Sequence, residues 1–219
     1  MIERHLDASA APPQLNTLMT RLNEPSGTPL HRFSPPKDGA RSSAVLIAFA
    51  DGEHGLDVLI TERSTTLRKH NGQVAFPGGA SDPGDTGPLS TALREANEEV
   101  GLDPAVVAPL AILPTVYIPV TRYAVTPVLG WIDTAYEFYV REPREVARVS
   151  RLALRELVDP ANRFVVTSPS GFRGSAFDVE GYFIWGVTAG LLSGVLEMGG
   201  FATPWDESIE RELPERFLR

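Results

Sequence analysis

Glu95, Glu98 and Glu99 stand at i, i+3 and i+4 in a stretch without Gly or Pro. On a helix of 3.6 residues per turn these positions share one face. Three carboxylates held that close repel one another by roughly a few tenths of a kcal/mol per exposed pair. They also lie toward the helix end whose dipole disfavours anions. A hard divalent cation, Mg²⁺ or Mn²⁺, would compensate, because such ions prefer oxygen ligands. Arg94 sits beside the cluster and can orient or neutralise one carboxylate through bidentate hydrogen bonds. The competing reading of the same residues is a solvated acidic face.

The helix that must carry them is marked at both ends. Pro88 suits its first position, and Gly101 stands where a left-handed residue would stop it. Ala92, Leu93, Ala96 and Val100 supply an apolar face for burial. Upstream lies a Pro/Gly/Asp-rich turn that follows Gly78 and Gly79, two glycines that permit close backbone approach at the mouth of a phosphate or metal site, or a tight strand-to-loop turn.

Residues 94–102, Arg-Glu-Ala-Asn-Glu-Glu-Val-Gly-Leu, resemble the second half of the Nudix box. The first half departs from the general pattern: five residues after Gly79 comes Asp85 in place of Glu, and eight residues rather than seven separate it from Arg94. Residues 59–64 (Leu-Ile-Thr-Glu-Arg-Ser) and 67–79 (Leu-Arg-Lys-His-Asn-Gly-Gln-Val-Ala-Phe-Pro-Gly-Gly) resemble the signature of the coenzyme A pyrophosphatase branch of that superfamily. The branch tolerates both the Asp and the longer spacer. Weaker similarity at 125–128 and 184–189 extends the resemblance from about residue 41 to residue 200.

The resemblance implies a Nudix fold, a mixed β-sheet between helices with the box as loop, helix and loop. It implies Mg²⁺- or Mn²⁺-dependent hydrolysis of the diphosphate of coenzyme A or its derivatives to 4′-phosphopantetheine and adenosine 3′,5′-bisphosphate. Glu98 and Glu99 are the firmest metal ligands on this reading, with Glu95 as ligand or base and Arg94 as the group that orients a carboxylate. Glu145 lies where some members bring a further glutamate to the cluster; the alternative for it is a solvated surface position. Arg63, Arg68, Lys69 and His70 form a basic patch suited to nucleotide phosphates. Gln73, Gly78 and Gly79 complete the expected substrate-binding set, His70 binding rather than catalysing. Tyr123 and Trp185 are assigned to the core rather than to adenine stacking. Two alternatives remain: a Nudix hydrolase of another nucleoside diphosphate derivative, such as ADP-ribose or a dinucleoside polyphosphate, and a catalytically silent nucleotide-binding module.

Composition fits a compact enzyme. The 219 residues, 42% of them hydrophobic, suffice for one large domain. A formal charge of −8 disfavours nucleic-acid and anionic-membrane partners. The lack of cysteine excludes disulfides, zinc-thiolate sites and a thiol nucleophile. Neither a secretory pattern nor an apolar run of about 18 residues is present, which makes the cytoplasm the default expectation. A small-molecule substrate is the expected partner, and a homodimer is compatible with the sequence. Rossmann, P-loop and Gly-x-Ser-x-Gly signatures are missing.

Strands mixed with few helices imply an α/β or α+β sandwich. Residues 1–40 are an expected N-terminal arm, in which Leu15, Leu18, Met19 and Leu22 recur at helical spacing before a Pro-rich connection. The main domain spans 41–200. Its first strands, 43–50 and 56–61, should form a hairpin around Asp51-Gly52-Glu53-His54-Gly55. Further strands are expected at 107–113, 124–132 and 137–140. Residues 145–149 and 152–157 follow, the latter ending in a turn at Asp159-Pro160. A buried helix is expected over 183–198, and 201–219 as a charged tail.

Overall fold

The computed structural model describes residues 10–22, 24, 39–66, 71–132 and 136–218. Arg68, Lys69, His70 and the Pro-rich connection lie outside them. The elements in chain order are α1 (Asn16–Leu22), β1 (Arg41–Gly52), β2 (Gly55–Arg63), β3 (Val74–Ala75), β4 (Gly78–Ala80), α2 (Pro88–Val100), β5 (Val107–Ile112), β6 (Val116–Ile118), β7 (Tyr123–Ile132), β8 (Val146–Ala153), α3 (Leu154–Val158), β9 (Arg163–Thr167), β10 (Arg173–Val179), β11 (Tyr182–Ile184), α4 (Gly186–Gly199) and β12 (Glu210–Glu212).

β1 organises the larger sheet. It pairs antiparallel with β2 and β4 and parallel with β7, while β2 also carries β3 and β8, and β7 carries β5 and β6. The sheet is therefore mixed. Alternate residues of β1 point to opposite faces, and both faces are buried. Ile47 and Phe49 enter a core shared with α1 and α4. Ala44, Leu46, Ala48 and Ala50 enter a second core with Ala92, Ala96 and Val100 of α2. Helices thus cover the sheet on both sides, as the resemblance implies. α1 packs on α4 through Leu15, Leu18, Met19 and Leu22, all buried, and Arg21 donates to the Glu197 carbonyl at the far end of α4.

Three expectations need correction. Residues 137–140 are not a strand: they run across the C-terminal end of α2, held there by the Tyr136 hydroxyl on the Gly101 carbonyl and by the Arg141 amide on the Glu99 carbonyl. Phe138 packs with the Tyr136 ring over the second core, while Tyr139 is exposed. Residues 152–157 are divided, because β8 continues through Ala153 and α3 begins at Leu154. The helix expected from 183 begins at Gly186. Tyr182–Ile184 instead forms β11, in which Tyr182 and Ile184 are buried, and Gly186 turns the chain with a φ of 66°.

A second sheet, ordered β11-β10-β9-β12, abuts α4. Its β12 comes from the segment read as a tail and pairs parallel with β9. Leu213 and Phe217 then drop into a cluster with Phe164, Val166 and Ala176. Phe217 is 7% exposed. Truncating it is therefore expected to cost about 3 kcal/mol. Urea unfolding of Phe217→Ala checks this, and a loss below experimental error would mean that the segment does not contribute to the fold.

Candidate active site

α2 presents its acids where β4 meets it. β4 is thin enough to lie between β1 and α2 only because it has no side chains at two positions. A Cβ at Gly78 would come 2.3 Å from the Ala44 carbonyl oxygen, and one at Gly79 would come 2.5 Å from the Glu95 carboxyl carbon. The glycines therefore allow close approach of β4 both to β1 and to the Glu95 carboxylate. At the other end of the helix Gly101 adopts φ 68° and ψ 12°, the left-handed stop that its position predicts.

The three glutamates experience different surroundings. Glu99 is 4% exposed and accepts a hydrogen bond of 3.1 Å from the Gly78 amide. Burial pushes its carboxyl up to about 8, with the Gly78 amide and Arg63 opposing and the charges of Glu95 and Glu145 adding to the rise. Burial also raises Glu95, against its hydrogen bond to Arg94, and the neighbouring Glu98 and Glu145 push in the same direction as burial. Its side chain is 15% exposed, whereas that of Glu98 is 57% exposed.

Arg94 joins the cluster to the loop before it. Its Nε and Nη2 donate to the two carboxylate oxygens of Asp85 at 3.1 and 3.0 Å. Nη1 donates to Glu95 at 2.9 Å and Glu98 at 3.1 Å, and Nη2 also reaches the Ala80 carbonyl. The guanidinium holds the Asp85 carboxyl well below the usual range, helped by the Asp82 amide and the Thr91 hydroxyl. With its oxygens so occupied, Asp85 anchors Arg94. The loop before Asp85 is closed by a turn in which the Asp85 amide donates to the Asp82 carbonyl.

Glu145 is exposed and reaches the site from a turn that follows Glu142. The Ser64 amide donates to its carbonyl, tying this turn to the end of β2. Glu145, Glu142, Arg63, Gln73, Gly78 and Gly79 line one open cleft of about 2330 Å³ together with Arg94, Glu95, Glu98 and Glu99. Arg63 Nε is buried there without a partner among the described residues. Tyr123 and Trp185, assigned to the core from the sequence, line the cleft as well. Trp185 lies 5.8 Å from both the Phe172 and Phe217 rings, so it belongs to the aromatic wall of the second sheet. Arg41 and Arg122 were not legible as cleft residues, since only the parallel pairing of β1 with β7 brings them there.

Among the described residues, no three carboxylate or imidazole groups converge closely enough to hold a metal ion. The donor set nevertheless suits a hard cation. Oxygen ligands predominate, and the raised Glu95 and Glu99 carboxyls are acids whose burial and mutual repulsion a divalent charge would relieve.

Carboxylates tethered by an arginine thus line an open cleft, on a helix packed against a mixed sheet. Residues 40–164 match the model of the NUDIX domain, and the chain belongs to the Nudix family. Members of this family generally use divalent metal ions. The uncharacterized Nudix hydrolase NudL of Enterobacter sp. (strain 638) is 40% identical over 159 residues, covering 69% of this chain and 79% of that one. NudL of Citrobacter koseri is 42% identical over 160 residues with the same coverage. A NUDIX hydrolase structure from Alicyclobacillus acidocaldarius aligns with a TM-score of 0.47 and 20% identity, over 56% of this chain and 83% of that one.

The Glu99 carboxyl has a measurable signature. Its folded value near 8 lies above the ordinary 4.5, so the folded protein binds the proton first. In the presence of a chelator, stability should fall as pH rises from about 4.5 to about 8. Glu99→Gln keeps an acceptor for Gly78 and removes the charge. Thermal unfolding in EDTA should show this variant melting several degrees above the parent at pH 8.5, with the gap closing by about pH 5. A gap independent of pH would mean that Glu99 ionises freely.

Proposed function

We propose that the protein hydrolyses the diphosphate of coenzyme A or its derivatives, using Mg²⁺ or Mn²⁺, to 4′-phosphopantetheine and adenosine 3′,5′-bisphosphate. One observation carries the reading. Arg63, Gln73, Gly78 and Gly79, from the segments that resemble the coenzyme A pyrophosphatase branch, open into the same cleft as Glu95, Glu98 and Glu99. The basic residues Arg68 and His70 belong to that segment in sequence and are assigned to substrate binding on the same basis.

In this reading Glu98 and Glu99 hold the metal, and Glu95 acts as ligand or base. When bound, the cation neutralises charge on the diphosphate oxygens and makes water more acidic. Arg94 holds Glu95 and Glu98 in register through its pair with Asp85. The Gly78 amide orients the Glu99 carboxylate by donating to one of its oxygens. Glu145 faces the same acids from across the cleft and is a second candidate to take a proton from water. Arg63 supplies positive charge at the point where substrate phosphates would approach. The domain limits of 41–200, a cytoplasmic setting and a homodimer belong to the same proposal. Among the described residues no helix is long and apolar enough to cross a membrane.

A substrate panel tests the proposal. Purified protein with Mg²⁺ or Mn²⁺ is expected to cleave coenzyme A ahead of ADP-ribose and diadenosine polyphosphates, with the two named products identified by mass. Preference for either other class would overturn the substrate assignment. Glu98→Gln should lower kcat by about a hundredfold or more. Turnover equal to the parent would remove Glu98 from the ligand set.

A further inference from the structure

The acids occupy only part of the cleft. At the edge where β1 and β7 begin, two arginines line it, Arg41 on β1 and Arg122 in the turn between β6 and β7. Among the described residues neither has a carboxylate partner, in contrast to Arg94, Arg148, Arg151, Arg155, Arg173 and Arg211. The two are locked to each other through the main chain, since the Arg41 amide donates to the Arg122 carbonyl at 2.8 Å. The Arg41 guanidinium carbon also lies 5.9 Å from the centroid of the Tyr123 ring, a cation–π contact that positions it at this edge.

The turn itself is unusual for the residue it carries. Arg122 has a φ of 59°, a left-handed conformation that favours glycine, and its amide donates to the Ile118 carbonyl to close the turn. A side chain this large at such a position is unfavourable to the fold. Beside it, the Thr121 hydroxyl oxygen is buried without a partner among the described residues, and Thr121 lines the same cleft. Two arginines without a carboxylate partner and a threonine whose hydroxyl has none among the described residues therefore line one corner of the cleft.

The corner is set apart from the acids by a definite length of strand. Ala44 pairs with Gly79, which touches Glu95, and Arg41 precedes Ala44 by three residues, about 10 Å at 3.3 Å per residue. We propose that Arg41, Arg122 and Thr121 form a subsite for a terminal phosphomonoester of the substrate, separate from the diphosphate that is cleaved. The inference rests on the coenzyme A reading above, whose adenosine carries such a group on the 3′-oxygen. Guanidinium forks match phosphate oxygens, and a dianion would balance both charges. The subsite also gives the cleft a means of telling coenzyme A from ADP-ribose, which lacks that phosphate.

Arg122→Gly is the informative variant, because glycine suits the turn while the guanidinium is lost. Its melting temperature is expected to equal or exceed that of the parent. The parent should show a KM about tenfold or more lower for coenzyme A than for its 3′-dephospho form. Arg122→Gly and Arg41→Ala should each erase most of that difference while leaving KM for the dephospho form unchanged. Equal KM values in the parent, or a preference that survives both substitutions, would overturn the subsite and leave the hydrolase reading standing. Calorimetry in EDTA with adenosine 3′,5′-bisphosphate and adenosine 5′-monophosphate separates the two ideas. Tighter binding of the bisphosphate, lost in Arg122→Gly, supports the subsite even if coenzyme A is not cleaved. Equal binding of the two nucleotides overturns it.

Discussion

Two missing side chains set the geometry of this protein. Without a Cβ at Gly78 and Gly79, β4 can lie against β1 on one side and against the acidic face of α2 on the other. That contact brings a main-chain amide to Glu99 and closes water away from it. It also sets the distance between the sheet edge and the carboxylates. Any larger residue would push the helix off the sheet and open the core formed by Ala44, Leu46, Ala92 and Ala96. The packing of the fold and the electrostatics of the cleft share this one constraint.

Charge is distributed with the same economy. Among the described residues Arg94 is the only cation hydrogen-bonded to the cluster, and two of its five side-chain hydrogen bonds go to Asp85. Asp85 is itself held by Thr91 and the Asp82 amide, so the guanidinium is fixed from outside the cleft. Glu95 and Glu98 thereby gain a rigid neighbour. Glu99 does not, and its ionisation depends on Gly78, on Arg63 and on whatever positive charge enters the cleft. The cluster is thus tethered by Arg94 at Glu95 and Glu98 and untethered at Glu99.

Much of this was legible in the sequence. Pro88, Gly101 and an uninterrupted apolar period between them define α2, and Asp51-Gly52-Glu53-His54-Gly55 defines the first hairpin. Those signals are local, so no knowledge of tertiary structure is needed. The motif at 94–102 goes further and identifies the family. The second sheet was not read, although Ser168-Pro169-Ser170-Gly171 between β9 and β10 is a recognisable turn. The role of β12 lay beyond reach, because Glu210–Glu212 is exposed and polar and becomes a strand only by pairing with β9. Residues 137–140 misled in the opposite sense, carrying the aromatic content of a strand while bonding to the end of α2. Arg41 and Arg122 gave no signal at all, since adjacency across parallel strands has no counterpart in spacing along the chain.

The position of Phe217 has a consequence for how the molecule is made. Phe164, Phe183 and Trp185 emerge from the ribosome well before the residue that packs among them. A nascent chain can therefore assemble the acidic helix and the larger sheet while one side of the cleft is still unbuilt. Closure of the aromatic wall waits for Phe217, which follows every strand of the larger sheet along the chain.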